Sequence, residues 1–355
     1  MKKFFNAFCL FFIITFPCIG LFSCANLKNA NNATSNNESL TSSSEQTTND
    51  KIKIITTIFP IYDITKSLVP NDKYDVSLLL DSSIDIHNFQ PTATDIINIA
   101  NSNLFIYIGG ESDKWVDKVL KTSQNKNLNT LNLMEPLAHL VKEEEIVEGM
   151  EHEHDNEHNE ELDNEHNEEH DEEHHHEIEN DEHIWLSLKN AKELVDVIAE
   201  KLISLNENDN DIILKNAATL KSKIDELDKK YLEVVNNAQN KILLFADRFP
   251  FRYLVDDYGL TYFAAFSGCS AEAEASFETV AFLAKKIDEL DLKHICAMIG
   301  SNHNIPETVK NTTKNKNQDF VYFNSMENVV FNDSTNISYI KIMEDNLSSL
   351  EKALN

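Results

Sequence analysis

Histidine and carboxylate side chains are concentrated in one stretch of this 355-residue chain. Between residues 143 and 182 there are 21 Asp and Glu residues and eight histidines, with no Lys or Arg. A segment with so few apolar side chains cannot build a core, so we expect a solvated loop. Imidazole and carboxylate groups are both ligands for divalent metal ions. The composition therefore predicts a metal-binding protein, with accessory ligands at His152, His154, His158, His166, His170, His174, His175 and His176.

The negative charge of the chain is local. The formal net charge is −29, and the acidic segment contributes −21 of it, which leaves −8 for the other 315 residues. A remainder of this kind lacks the clustered Lys and Arg that bind nucleic acid or anionic lipid. We therefore expect cations as partners and no nucleic acid.

Five histidines lie outside the acidic segment, and two of them occupy positions suited to a fixed site. His87 lies in the polar turn DIHNFQ, directly after a predicted strand. His183 lies in DEHIWL, where the acidic loop meets the next predicted helix. Both are placed where the ligands of a metal in a cleft would be.

The elements that position these residues follow from the hydrophobic pattern. Strands and helices alternate on both sides of a purely helical stretch, 189–236, which breaks near 206–211. Such alternation indicates an α/β fold with parallel sheets, and the length favours two lobes. Ligands of parallel sheets bind beyond the carboxyl ends of strands, so we expect the metal in a cleft between the lobes. The predicted strands are 52–58, 74–80, 104–109, 241–245, 259–266, 294–300 and 319–323.

The N-terminus predicts export. Two lysines, an apolar run of about sixteen residues and the sequence LFSC have the order of a signal peptide, 1–23, and LFSC resembles a bacterial lipoprotein signal in which Cys24 is lipidated. An uncleaved membrane helix is the alternative interpretation. Residues 24–50 are mostly Asn, Ser and Thr, and we expect a disordered tether to the membrane. The remaining boundaries are an N-terminal lobe at 51–188, a helical connector at 189–240 and a C-terminal lobe at 241–355.

Three sequence motifs together resemble one family. They are DIHNFQPTATDI, then DEHIWLSLKNA after the His-rich insertion, then FADRFPFRYLVDDYGLTYFAAFSG. From residue 51 to 355 the chain is similar to the solute-binding proteins of bacterial ABC importers for zinc and manganese, most closely the zinc-uptake branch. The resemblance implies two α/β lobes joined by a long connector helix. It also implies a monomer at the outer face of the cell membrane that delivers one divalent cation to an ABC permease.

The resemblance further implies four ligands at the lobe interface, and the first two match His87 and His183. The third position, after the first strand of the second lobe, is taken by Ala246 or Asp247. Asp247 is the candidate ligand, and its alternative is a hydrogen bond to the neighbouring backbone or an ion pair with Arg248.

The fourth family ligand is an acidic residue after a late strand. HICAMIGSNHN contains no acidic residue, so the nearest donor is His303, which is otherwise an exposed loop histidine. Cys269 is a reserve ligand, because a thiolate binds zinc well although a free thiol outside the cell risks oxidation. Pairing of Cys269 with Cys296 is left open.

Zinc is the predicted ion, because imidazole suits Zn²⁺ whereas Mn²⁺ prefers carboxylate oxygen. A manganese-binding homologue, a surface adhesin and a zinc-sensing lipoprotein of the same fold are the alternatives. A zinc hydrolase is disfavoured, because the chain contains no HExxH, GxSxG or Gly-rich phosphate loop. The loop histidines are predicted to capture zinc weakly and to concentrate it near the cleft, against the alternative of a passive acidic loop.

Overall fold

A computed structural model describes residues 51–80, 86–150, 179–270, 274–330 and 337–355. The predicted signal peptide, the lipidation site Cys24 and the tether lie outside these residues, as do the eight loop histidines between 152 and 176. Within the described ranges, every helix is too short or too polar to cross a bilayer.

The first lobe is built on a parallel sheet of four strands in the order β2-β1-β3-β4. Parallel neighbours require crossover connections, which three helices supply here. The central strand β3 is buried along its whole length, as its apolar sequence LFIY requires. The elements are β1 (Ile52–Thr56), α1 (Phe59–Leu68), β2 (Tyr74–Leu78), α2 (Ala93–Ala100), β3 (Leu104–Tyr107), α3 (Lys114–Thr122) and β4 (Asn129–Asn132).

A short antiparallel hairpin closes the base of the acidic insertion. Its strands are β5 (Lys142–Glu143) and β6 (Asn180–Asp181), in which Lys142 pairs with Asp181. The ladder continues one residue further, because the Glu144 N–H donates to the Glu179 carbonyl at 2.7 Å. The two ends of the insertion are therefore held side by side. The alternation of hydrophobic residues did not predict this hairpin.

Two long helices connect the lobes, α4 (Leu188–Leu205) and α5 (Asn210–Asn237). Ser187 caps the N-terminus of α4, since its hydroxyl accepts the Asn190 N–H. At 28 residues, α5 extends for about 42 Å. Its buried residues recur at helical spacing, and the hydroxyl of Tyr231 among them donates to the Met343 carbonyl of the last helix at 2.7 Å.

The second lobe is a second parallel sheet, in the order β10-β9-β7-β8. Helix α6 ends at Gly259, which adopts the left-handed conformation that glycine accommodates without a steric cost. The elements are β7 (Ile242–Phe249), α6 (Arg252–Tyr258), β8 (Thr261–Ser267), α7 (Phe277–Leu290), β9 (His294–Met298), α8 (Asn304–Thr312), β10 (Asp319–Phe323) and α9 (Tyr339–Ala353).

A continuous hydrophobic core joins the two lobes. One cluster of buried apolar residues runs from the first sheet through α4 and α5 to β7 and α9, and a smaller cluster fills the other face of the second sheet. The predicted α/β fold with two parallel-sheet lobes and a long connector helix is confirmed. The fourth strand of the first sheet, NTLN, escaped prediction because its residues are polar and only half buried.

Candidate metal centre

Three metal-ligating side chains meet between the two lobes. His87, His183 and Cys269 each offer one donor atom, and these atoms lie within 4.8 Å of one another. His87 lies in a 3₁₀ turn after β2, His183 follows β6, and Cys269 comes two residues after β8 ends. Two donors thus belong to the first lobe and one to the second. His87 and Cys269 each follow a strand of a parallel sheet, where ligands bind, whereas His183 follows a strand of the antiparallel hairpin.

A buried carboxylate, Glu327, faces the two imidazoles. Its Oε1 lies 3.0 Å from Nε2 of His87 and 3.1 Å from Nε2 of His183. The Glu327 side chain is only 1% exposed, and its Oε2 has no hydrogen-bond partner. An unpartnered buried carboxylate oxygen is costly unless a cation satisfies it.

The turn after β10 determines the position of Glu327. The Asn324 side chain accepts the Met326 N–H at 2.8 Å, and the Asn346 amide of α9 bonds to both backbone groups of Asn324. Met326 is buried and has a left-handed backbone, with φ 65°. Such a conformation costs a non-glycine residue about 1 kcal/mol or more and is concentrated at functional sites. The fold therefore holds the carboxylate inward at the expense of local strain.

The second nitrogen of each imidazole is fixed by a neighbour. Asp181 Oδ1 lies 2.9 Å from Nδ1 of His183 and also accepts the His183 N–H at 2.9 Å. Ser112 Oγ lies 2.9 Å from Nδ1 of His87. Partners of this kind orient metal-binding histidines and leave Nε2 available as the ligand atom.

Aromatic packing ties the lobes together beside the site. The fully buried Trp185 donates its indole N–H to the Ser325 carbonyl at 2.8 Å, and its own carbonyl accepts the Tyr339 hydroxyl at 2.8 Å. Since His183 and Glu327 each lie two residues from one of these anchors, the packing limits the relative movement of the two ligands.

Charge at the centre is distributed between an acid and a base. Burial alone lowers the pKa of His183, but its acidic neighbours, Glu327 foremost, outweigh burial and hold the pKa well above its usual value. Burial likewise opposes ionisation of Glu327, yet His183 and His87 hold its pKa well below the ordinary range. Burial raises the pKa of the Cys269 thiol. Without metal, the centre thus contains an imidazolium, a carboxylate and a neutral thiol.

Two further buried carboxyl groups, Glu182 and Asp113, adjoin His183 and Ser112 in the chain. Glu182 accepts the Ser112 N–H at 2.8 Å, and burial raises its pKa. Burial, together with the nearby charge of Glu182, raises the pKa of Asp113 to about 7, despite the hydrogen bond from the Gly109 N–H. Because burial favours the neutral acid, these two groups contribute less negative charge to the centre than exposed carboxylates would.

The structure brings His87, His183 and Cys269 together, but it places Asp247 and His303 elsewhere. Both oxygens of Asp247 are occupied, since one accepts the Arg248 N–H and the other accepts the Met298 N–H, each at 2.9 Å. This is the backbone role that the sequence left open as its alternative. His303 is exposed at the start of α8, with its ring edge against Tyr322. Neither residue belongs to the cluster of donor atoms found in the described residues.

The sequence analysis missed Glu327. The acidic ligand was expected after β9, whereas the Glu327 carboxylate lies four residues beyond β10, which ends at Phe323. The available signal was a single Glu after the predicted strand DFVYF. The possible disulfide does not form, because Cys269 and Cys296 are both free thiols.

Two α/β lobes that share one buried histidine and carboxylate centre define a metal-binding protein of the two-lobed, solute-binding type. The comparison with protein families assigns it more narrowly. Residues 54–353 match the model of the ZnuA family, described as zinc-uptake complex component A, periplasmic, and the chain belongs to this family.

Individual relatives agree with this assignment. The chain is 30% identical over 312 residues to the zinc-binding lipoprotein AdcA of Streptococcus pneumoniae, covering 87% of this chain and 57% of the relative. It is 28% identical to the high-affinity zinc uptake system protein ZnuA of Bacillus subtilis, covering 89% of this chain and 92% of that protein. The chain thus spans little more than half the length of AdcA.

A solved structure shares the fold. The Zn(II)-bound ZnuA-like domain of Streptococcus pneumoniae AdcA superposes with a TM-score of 0.64 at 25% identity, over 86% of this chain and 99% of that domain. The coverage indicates that the similarity extends over both lobes.

Proposed function

We propose that this protein captures Zn²⁺ outside the cytoplasm and delivers it to the membrane permease of an ABC importer. The proposed ligands are His87, His183 and Glu327, with Cys269 as the fourth donor. Glu327 takes the acidic position that the sequence analysis sought at His303, and Cys269 replaces Asp247.

One observation carries the proposal: the Glu327 carboxylate is enclosed against two imidazole nitrogens from the other lobe. Its Oε1 lies 3.0 and 3.1 Å from them, which is hydrogen-bond distance, and its Oε2 is unsatisfied. A metal ion inserted among these atoms would take the place of the protons that now bridge them. Four donors of imidazole, carboxylate and thiolate type suit tetrahedral Zn²⁺.

The same donor set supports transport rather than catalysis. Catalytic zinc sites retain an open position for a water molecule, whereas four protein donors fill a tetrahedral shell. We therefore propose that the protein is not an enzyme and that the ion is cargo. Because the site is buried and its ligands are held by packing between the lobes, we propose that a docked permease must disturb this packing before the ion can leave.

Location follows from the N-terminal sequence. We propose that residues 1–23 direct export, that Cys24 carries a lipid anchor, and that a monomer operates at the outer face of the membrane. The segment 24–50 would then be a tether that lets the folded part reach the permease.

The test is a zinc titration of the purified protein in competition with a chelator that outcompetes weak sites. We expect one tight site in the wild type and its loss in His87→Ala, His183→Ala and Glu327→Gln. His139→Ala and His303→Ala are matched controls, since both histidines are exposed. Manganese titrated in parallel should bind far more weakly, because two imidazoles favour zinc.

Retention of the tight site in both His87→Ala and His183→Ala would refute the proposed centre. Delivery of zinc to the permease is tested separately. The chromosomal gene for this protein is replaced by the gene for each variant, and growth of the cells is measured under zinc limitation. Normal growth with a variant that binds no zinc would refute the role in uptake.

A further inference from the structure

We infer that Cys269 coordinates the ion as a thiolate and that the centre therefore accepts thiophilic d¹⁰ ions, Zn²⁺ and Cd²⁺, while discriminating against Mn²⁺. This inference rests on the proposed function, because it specifies the ions taken by the same site.

The first argument is position. The Cys269 sulfur belongs to the group of donor atoms that lie within 4.8 Å of one another. Zn–S bonds of about 2.3 Å and Zn–N bonds of about 2.1 Å span such separations when one ion lies between the donors.

The second argument is that the backbone holds the sulfur in place. The Cys269 N–H donates to Glu144 Oε1 at 3.0 Å, which fixes the residue to the base of the acidic insertion. Gly268 passes so close to the histidine that a Cβ there would lie 3.1 Å from Cε1 of His183. The segment after β8 thus presents the thiol to the imidazole through two independent contacts.

The third argument comes from the opposite side of the centre. Glu327 Oε2 is buried and has no hydrogen-bond partner, which independently points to a cation among these residues. With Cys269 included, the donors number four and comprise two nitrogens, one oxygen and one sulfur. Without Cys269, the remaining donors are the three of His87, His183 and Glu327.

Chemistry then determines the selectivity. On coordination the thiol loses its proton to solvent, and the sulfur donates a lone pair to the metal. Thiolates select soft or borderline ions, whereas Mn²⁺ prefers oxygen. The other described thiol, Cys296, is buried within β9 and so serves as a matched control.

The experiment uses the full chain, freed of metal and titrated with Co²⁺ as a spectroscopic probe. A thiolate ligand produces an intense sulfur-to-cobalt charge-transfer band in the near ultraviolet. We expect the band in the wild type and in Cys296→Ser, and its loss in Cys269→Ser. Zinc and cadmium affinities should fall about 100-fold or more in Cys269→Ser, and manganese affinity by less than about tenfold.

A second variant checks the direction of the effect. Cys269→Asp replaces sulfur by oxygen and should narrow the gap between zinc and manganese affinities by at least about tenfold. Tight Co²⁺ binding to the wild type without a charge-transfer band would overturn the inference and leave the proposed zinc function standing. A band that persists in Cys269→Ser would also overturn it. If neither Zn²⁺ nor Co²⁺ bound to the wild type, both the inference and the proposed zinc function would be refuted.

Discussion

Zinc binding at this centre should release two protons, and the pH dependence of the affinity should reveal them. His183 carries a proton in the metal-free protein because neighbouring acidic groups, Glu327 foremost, hold its pKa well above the usual value despite its burial. Cys269 retains its proton because burial raises the pKa of the thiol. Both atoms must lose these protons before they can coordinate a metal.

The size of the effect follows from the proton count. One released proton makes the apparent association constant rise tenfold per pH unit, which equals about 1.4 kcal/mol. Two protons give about 100-fold, or about 2.7 kcal/mol, between about pH 7 and pH 8. The affinity rises with pH as long as both groups remain protonated in the metal-free protein.

Two measurements check this number. Competition with a chromophoric chelator, corrected for the chelator's own protonation, gives the slope of log affinity against pH. Calorimetry in two buffers of different ionisation enthalpy counts the released protons directly. Cys269→Ser should lower the slope to about one, because only His183 then gives up a proton.

If log affinity rose with pH at a slope of one or less in the wild type, then either His183 or Cys269 would already be deprotonated in the metal-free protein or would not coordinate the ion. A slope of two that survives in Cys269→Ser would exclude the thiol as the source of the second proton. Either result would refute this account of the charges.

Three other perturbations should have distinct results. Glu327→Gln should weaken zinc binding at least about 100-fold. It should also destabilise the metal-free protein by about 3 kcal/mol, because the charge of His183 loses its buried partner. Urea unfolding in the presence of a chelator measures the stability, with the exposed Glu226→Gln as control, and equal stability of the two variants would contradict this expectation. Because burial raises the pKa of Asp113 from 3.8 to about 7, the metal-free protein should lose up to about 4 kcal/mol of unfolding free energy between about pH 4 and pH 7. Asp113→Asn should flatten that curve, and superimposable pH profiles of the two proteins would refute the assignment. Deletion of 151–178 should remove weak zinc equivalents and preserve one tight site in equilibrium dialysis; disappearance of the tight site would show that the insertion contributes ligands.

The sequence revealed those parts of the fold that depend on local patterns. Strand β10 coincides with the predicted DFVYF segment, and the break between α4 and α5 falls at the predicted NENDND. Such features depend on the spacing of apolar residues and on turn-forming residues, both of which are visible in a short stretch of sequence. His87 and His183, whose donor atoms the structure brings together, were predicted as ligands because each lies in a short motif beside an element boundary.

Glu327 could not be found in this way, because its role depends on packing between the lobes. It meets His87 across 240 residues of sequence and His183 across 144. No periodicity in the chain indicates which of several strand ends faces the first lobe. Asp247 was selected for its chemistry and its position after a strand, but the irregular pairing between Phe245 and Arg248 turns its carboxylate to backbone N–H groups instead.

The distribution of the donors along the chain has a consequence for the timing of metal capture. A chain extended only through the first lobe possesses His87 and His183 but neither Cys269 nor Glu327. Two imidazoles without the carboxylate and the thiol make a weak site, so a partly synthesised chain would not retain zinc. A chain can therefore retain the metal tightly only after the second sheet has been synthesised and has folded against the first. For an exported protein, this order would limit the growing chain in the cytoplasm to weak zinc binding, such as that predicted for the loop histidines.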